Sequence, residues 1–151
     1  MPNDLEARLA AIEARDEIRE LPARYAWHSP RCEIQEMVDL FTEDCVFQSG
    51  SGEKQTYIEG KPALLAYFSK VLVQRGVRAP MITNMTVELV DSRIARSVCL
   101  MANPLAQPTS PPFVGYYLDD YSKEQGRWLF STRRFRFYSY GDACLLIRST
   151  A

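Results

Sequence analysis

Tyr25, His28, Asp119 and Arg133 are the side chains whose types and placement could do acid–base or ionic chemistry in this chain. His28 is the single histidine. In the stretch YAWHSPRCE it stands three residues after Tyr25, so the two share a helical face with Leu21 that should point at the core. An imidazole there could act as a general base near neutral pH, and the phenol could orient or protonate a substrate oxygen. In the last turn of a helix the dipole favours the protonated imidazole, whereas burial opposes it. The structural alternative is a helix-end histidine bonded to a carbonyl, beside a core tyrosine with a wet hydroxyl.

Arg133 lies in RWLFSTRRFRF, where strict alternation puts it with Leu129, Phe135 and Phe137 on one face. Trp128, Phe130, Arg134 and Arg136 then take the other. An arginine among apolar neighbours needs a carboxylate, and Asp119 in FVGYYLDDY is the natural partner. Two roles are open to the pair: holding a substrate carboxylate or enolate, or a purely structural ion pair. Arg133, Arg134 and Arg136 form the one local concentration of positive charge, which a strand with one solvated face explains as well as a phosphate site does. Asp44 is read as a capping or turning residue, and the cysteines and methionines as packing.

These residues are positioned by a helical first third and a strand-rich remainder. Asn3 and Glu6 have the spacing of a capping box. Leu5, Leu9 and Ile12, then Ile18, Leu21, Tyr25 and His28, mark apolar stripes, with a kink or break expected at Pro22. Pro30 ends this helix by about His28, and Ser29-Pro30 starts a second one carrying Ile34, Met37, Val38 and Phe41. CVFQSG and TYIEG read as strands around the turn SGSGEKQ. A third helix runs from Lys61 to about Gln74 on Leu64, Leu65, Phe68 and Val71, with Gly76 as its cap. Four β runs follow from Met81 on, with Asn103 to Pro112 as the long proline-rich connection. The result is an α+β domain, residues 1–151, with helices packed on one face of a sheet. Several strands are apolar on both faces, which calls for a second cover and points to a homodimer through the sheet.

Composition narrows the function classes. The 151 residues are 46% apolar and 25% charged, with a formal net charge of −1. That balance suits a soluble globular protein and offers nothing to nucleic acid or an acidic membrane. The acidic, amphipathic start is unlike a secretory signal, and no apolar run approaches the ~20 residues that span a bilayer. A cytoplasmic protein with free thiols is therefore expected. Cys32, Cys45, Cys99 and Cys144 lack CxxC spacing, so no metal is expected. GxGxxG, P-loop, GxSxG and HExxH patterns are absent, which disfavours nucleotide-dependent, serine-hydrolase and zinc-protease roles; no cofactor is expected.

The stretches LEARLAAIEARDEIRELPARYAW, VDLFTEDCVF, ITNMTVELVDSRIARS, GYYLDDY and GRWLFSTRRFRF, taken in order, resemble the SnoaL-like family of the nuclear-transport-factor-2-like superfamily. The resemblance implies a cone: a strongly curved antiparallel or mixed sheet wrapped over about three helices, enclosing an apolar pocket, usually in a dimer. Members include dehydratases, isomerases, cyclases, epoxide hydrolases and small subunits of ring-hydroxylating dioxygenases, so the fold alone does not choose the function. Dehydratase-type members carry an aspartate where this chain has Pro30 and a histidine where it has Pro80, two residues before Ile82-Thr83-Asn84. Proline has no titratable group, so the usual acid–base pair is missing. Tyr25, Asn84, Asp119 and Arg133 match the family pattern. Two functions stand: a cofactor-free lyase, isomerase or cyclase acting on a small oxygenated apolar molecule such as a polyketide, terpenoid or steroid, or a non-catalytic ligand-binding or dimeric interaction module, with a small subunit of a larger enzyme as a variant. In the first, His28 is the base, Tyr25 the hydrogen-bond donor and Arg133 the stabiliser of a developing oxyanion.

Overall fold

The computed structural model describes residues 4–50, 55–75, 78–104 and 112–138. Helix α1, Asp4–His28, leads into a 3-10 turn, Ser29–Arg31, and a short helix α2, Ile34–Val38. Strands β1 (Phe41–Ser49) and β2 (Thr56–Glu59) precede helix α3, Lys61–Arg75. Among the described residues four further strands follow: β3 (Met81–Leu89), β4 (Ile94–Asn103), β5 (Phe113–Glu124) and β6 (Arg127–Phe137). They form one curved, six-stranded sheet in the order β2-β1-β6-β5-β4-β3. Every neighbouring pair is antiparallel except β1 and β6, which run parallel. The middle of the expected turn SGSGEKQ (51–54), the capping residue Asn3, the Gly76 cap, most of the proline-rich connection and Cys144 lie outside the described residues.

α1 runs unbroken through Pro22, whose ring is buried. The apolar contacts of Ile18, Leu21 and Tyr25 around it outweigh one lost hydrogen bond. Only the second expected stripe is internal, at Ala14, Ile18, Leu21 and Tyr25; Leu5, Leu9 and Ile12 are exposed. The second helix is shorter than its apolar spacing suggests. Cys32 closes the 3-10 turn in the left-handed conformation, φ 54°, and Phe41 belongs to β1 rather than to the helix. On α3 the buried face is Leu64, Phe68 and Leu72, and Leu65 turns outward.

Two β-bulges set which side chains face the core. In β3, Asn84 adopts φ 51°, and the β3–β4 register shifts between Thr83 and Thr86. Asparagine tolerates this left-handed conformation better than most residues, so Asn84 bends the strand and is itself exposed. In β6, the register shifts between Asp120↔Thr132 and Tyr121↔Phe130, leaving Ser131 unpaired. That extra residue inverts the parity. Trp128 and Phe130 therefore point inward together with Arg133 and Phe135, and strict alternation across this strand is overturned. The β5–β6 hairpin turns on Gln125 and Gly126, both at positive φ, as a two-residue loop requires.

Candidate functional site

Inward side chains of β4, β5 and β6 stand in cross-strand rows. Asn103 faces Phe113; Met101, Gly115 and Phe137 form the next row; then Cys99, Tyr117 and Phe135; then Ser97, Asp119 and Arg133. From the first three rows, Asn103, Phe113, Met101, Phe137, Tyr117 and Phe135 line a partly open cavity of about 110 Å³, bordered on other sides by Phe47 of β1 and by Tyr25, Phe68 and Leu72 of the helices. Its walls are largely aromatic. The polar groups it meets come from Ser29, Ser49, Arg78 and Asn103, and from the tyrosines Tyr25, Tyr67 and Tyr117. Among the described lining residues there is no aspartate, glutamate or histidine.

The fourth row lies behind the cavity's tyrosines. Arg133 and Asp119 are directly opposite in the β5–β6 ladder, and their side chains are both 0% exposed, with Nε 3.7 Å from Oδ1. The guanidinium carbon sits 3.6 Å from the centroid of Tyr117, 4.3 Å from Tyr25 and 4.6 Å from Phe130. Three π faces thus replace part of the water shell that burial removes. Asp119 also accepts a long hydrogen bond, 3.4 Å, from the Tyr121 hydroxyl, which in turn meets Ser97 Oγ at 2.8 Å.

Burial dominates the electrostatics. It lifts the Asp119 carboxyl to about 6, with Arg133 holding it back from rising further. Burial works against the Arg133 charge, but the Asp119 carboxylate together with the neighbouring Tyr117, Tyr25 and Cys99 outweighs it, so the guanidinium stays protonated. Burial also pushes the Tyr117 phenol up to about 12 and raises Tyr25 well above its usual range. Both phenols are therefore donors rather than bases near neutral pH. Cys45 and Cys99 are buried and lifted to about 11, so neither is a ready thiolate. Cys32 is exposed.

Of the four residues singled out by sequence, the fold gathers Tyr25, Asp119 and Arg133. His28 stands apart. Its Nδ1 lies 2.7 Å from Glu33 Oε2, across the 3-10 turn, and the ring is not among those lining the cavity. The helix ends at this residue, and the turn that follows brings Glu33 back to it. Ser29, one residue on, takes the inward position: it is buried, lines the cavity, and its Oγ donates to the Arg78 carbonyl at 3.0 Å. Asp44 is an exposed residue of β1 rather than a helix cap. Arg136 and Arg134 point to the outer face, where Arg134 pairs with Asp120 at 2.7 Å. No group of three or more His, Cys, Asp or Glu able to hold a metal occurs among the described residues, nor does any helix long and apolar enough to cross a membrane.

Sequence reasoning passed over Arg78 and Asn103. Asn103 had a signal: it closes the inward series Ala95, Ser97, Cys99, Met101 of β4, a polar end to a mostly apolar row. Arg78 had none, because it lies in the irregular segment between α3 and β3.

A curved mixed sheet folded over helices defines a cone of the nuclear-transport-factor-2-like, cystatin-like type. The chain belongs to the SnoaL-like domain family, whose model matches residues 10–134. Among solved structures it is similar to a variant of Rv3472, a protein of unknown function from Mycobacterium tuberculosis, at 25% identity over 87% of this chain and 80% of that one, TM-score 0.72. It also resembles an NTF2-like protein with a cystatin-like fold from Novosphingobium aromaticivorans (21% identity, 97% and 98% coverage, TM-score 0.74). A third similar structure is a hexachlorocyclohexane dehydrochlorinase, LinA-type3, from Novosphingobium barchaimii (15% identity, 87% and 91% coverage, TM-score 0.74). The latter two likenesses show the fold. No protein of curated function matches the chain.

Proposed function

We propose that this SnoaL-like cone binds a small, largely apolar, oxygenated molecule in the cavity between α1, α3 and the sheet, and that binding rather than acid–base catalysis is its primary activity. The observation that carries this reading is the lining itself: aromatic walls with scattered hydrogen-bond donors, and no described side chain that gives and takes a proton near neutral pH. Pro80, at the position where the resemblance would place a histidine, lines the cavity, and Pro30 sits in the 3-10 turn after α1. A catalytic version would have to work through Tyr25 as donor and the Arg133–Asp119 pair behind it. The dehydrochlorinase of the same fold keeps that version in view. A screen of oxygenated ring compounds by two-dimensional NMR tests the binding reading. A ligand should shift the aromatic resonances of Phe47, Phe68 and Phe135 and leave the His28 imidazole unmoved. Shifts centred on His28, or none at all across a chemically diverse panel, would reject it.

We further propose that two copies associate through the outer face of the sheet. Val98, Val114, Tyr116 and Leu118 make an apolar strip there, bordered by the Arg96–Asp120–Arg134 ion pairs. A self-complementary patch mixing apolar area with both charges suits a two-fold interface. Light scattering after gel filtration should give the dimer mass at micromolar concentration, and the double variant V98D/L118D the monomer mass. A wild-type monomer at tens of micromolar would sink this assignment.

A further inference from the structure

From Asp4 to Glu13, α1 contains no buried residue; Ala14 is the first that the rest of the domain covers. At 1.5 Å of rise per residue, this leaves about 15 Å of helix that buries nothing. Such a segment has no use for large apolar side chains, yet Leu5, Leu9 and Ile12 stand on it, 65, 53 and 55% exposed. Their spacing of four and three sets them in one row. At about 100° per residue, that row lies on the opposite side of the helix from the buried series Ala14, Ile18, Leu21 and Tyr25. The chain's own core is on the wrong side to cover it, and an unbroken apolar row on a surface marks a contact with another molecule.

The charges beside the row say which molecule. Spacings of four and three are those of a heptad seam, with Leu5 and Ile12 at d positions and Leu9 at a. The e positions are then Glu6 and Glu13, and the g positions Arg8 and Arg15, so each flank carries one sign of charge. In a parallel pair of such helices, g faces the e position of the next heptad on the partner, and Arg8 meets the partner's Glu13 on both sides of the seam. Antiparallel pairing would set arginine against arginine and glutamate against glutamate. Arg8 and Glu13 make no ion pair among the described residues, whereas Asp16–Arg19 and Glu20–Arg24 are satisfied within the helix. Asp16 and Arg19 occupy the next a and d positions, so the apolar seam ends at Ile12.

We infer that α1 pairs in parallel with α1 of a second copy of this chain across Leu5, Leu9 and Ile12, the two domain bodies lying on opposite sides of the pair. The outer face of the sheet stays free, so this contact is separate from the one proposed there. Three apolar side chains per helix fall well below the ~1,200 Å² of a stable interface, so the pairing is transient and populated at high protein concentration.

Disulfide trapping reads the pairing directly. In a C32S/C144S background the remaining cysteines, Cys45 and Cys99, are buried. L5C and L9C then each place a thiol opposite its own copy, within the ~4.4–6.8 Å Cα span of a disulfide. Both should form covalent dimers about tenfold faster than A7C, an exposed position turned away from the seam. Adding R8E to L9C sets glutamate against glutamate and should slow trapping to the A7C rate; R8E/E13R should restore it. V98D/L118D should leave trapping unchanged. Equal rates for A7C and L9C would overturn the inference, as would trapping of L9C without L5C, which is the antiparallel result. Loss of trapping in V98D/L118D would show that the helices meet only through the sheet contact, and would overturn it as well.

Discussion

Replacing Arg133 with methionine is expected to destabilise the protein by about 3–5 kcal/mol at pH 8, and by much less at pH 5. The side chain is wholly buried and its charge faces Asp119, which is equally buried. Methionine fills the slot among Tyr25, Tyr117 and Phe130 but leaves the carboxylate without a counter-charge. At pH 5 that carboxyl is protonated, and the penalty shrinks. The wild type carries a related signature. Asp119 titrates at about 6 in the fold against 3.8 as a free side chain, so between those values the folded state binds more protons than the unfolded one. Stability from this group must then fall, by on the order of 3 kcal/mol, as pH rises from about 4 to 6, and stay level above. D119N should flatten the profile. The double variant R133M/D119L should recover most of what R133M loses, since a buried pair replaced by apolar groups is often neutral. Urea unfolding between pH 4 and 8 measures all four proteins. A cost below about 1 kcal/mol for R133M at pH 8 would show that the pair is not the buried ion pair described here.

Gly115→Ala should lower stability by about 3 kcal/mol or more. Gly115 is in β5, directly opposite Phe137, in the row that borders the cavity. A β-carbon there would collide with the Arg136 carbonyl oxygen and come within 2.7 and 2.8 Å of two Phe135 ring atoms. The carbonyl belongs to the β5–β6 ladder and cannot retreat without breaking it. The Phe135 ring is held by Tyr117, Phe113 and Phe137, with centroids 5.3, 5.8 and 4.5 Å away. Its only relief is a shift that reshapes the cavity wall. A fall in Tm of roughly 6–12 °C is expected in a thermal scan, with loss of ligand-induced shifts at Phe135. A Tm within 2 °C of wild type would mean that β5 and β6 can part here at little cost.

Much of the cone was legible one residue at a time. The boundaries of α1 and α3 follow from Pro30 and from apolar residues spaced three and four apart, and the four later strands from alternation between turn residues. The Asp119–Arg133 partnership was legible for the same reason, because each sits in an inward register of its strand and a buried cation requires an anion. The family assignment rested on the same ordered stretches. Where reading failed, a local irregularity had changed parity or direction. Ser131 in β6 adds one residue to the ladder, and no composition signal marks it; Trp128 and Phe130 consequently join the core instead of the outer face. His28 fits a helical stripe, yet the 3-10 turn after it delivers Glu33 as its partner and hands the inward position to Ser29.

By itself the sequence determined what depends on nearest neighbours along the chain: most of the helices and strands, the core-facing stripe of Tyr25, the pairing of Asp119 with Arg133, and membership of a fold family. Only the tertiary structure decided what depends on distance across it. It placed Arg133 behind Tyr117 and Tyr25 rather than on the cavity wall, and it brought Asn103 from the end of β4 and Arg78 from beyond α3 to one cavity. Those two residues are 25 positions apart and share no periodicity. They meet because Ala79 N–H bonds Asn103 and Ser29 bonds Arg78, contacts that exist only once the sheet has closed over the helices.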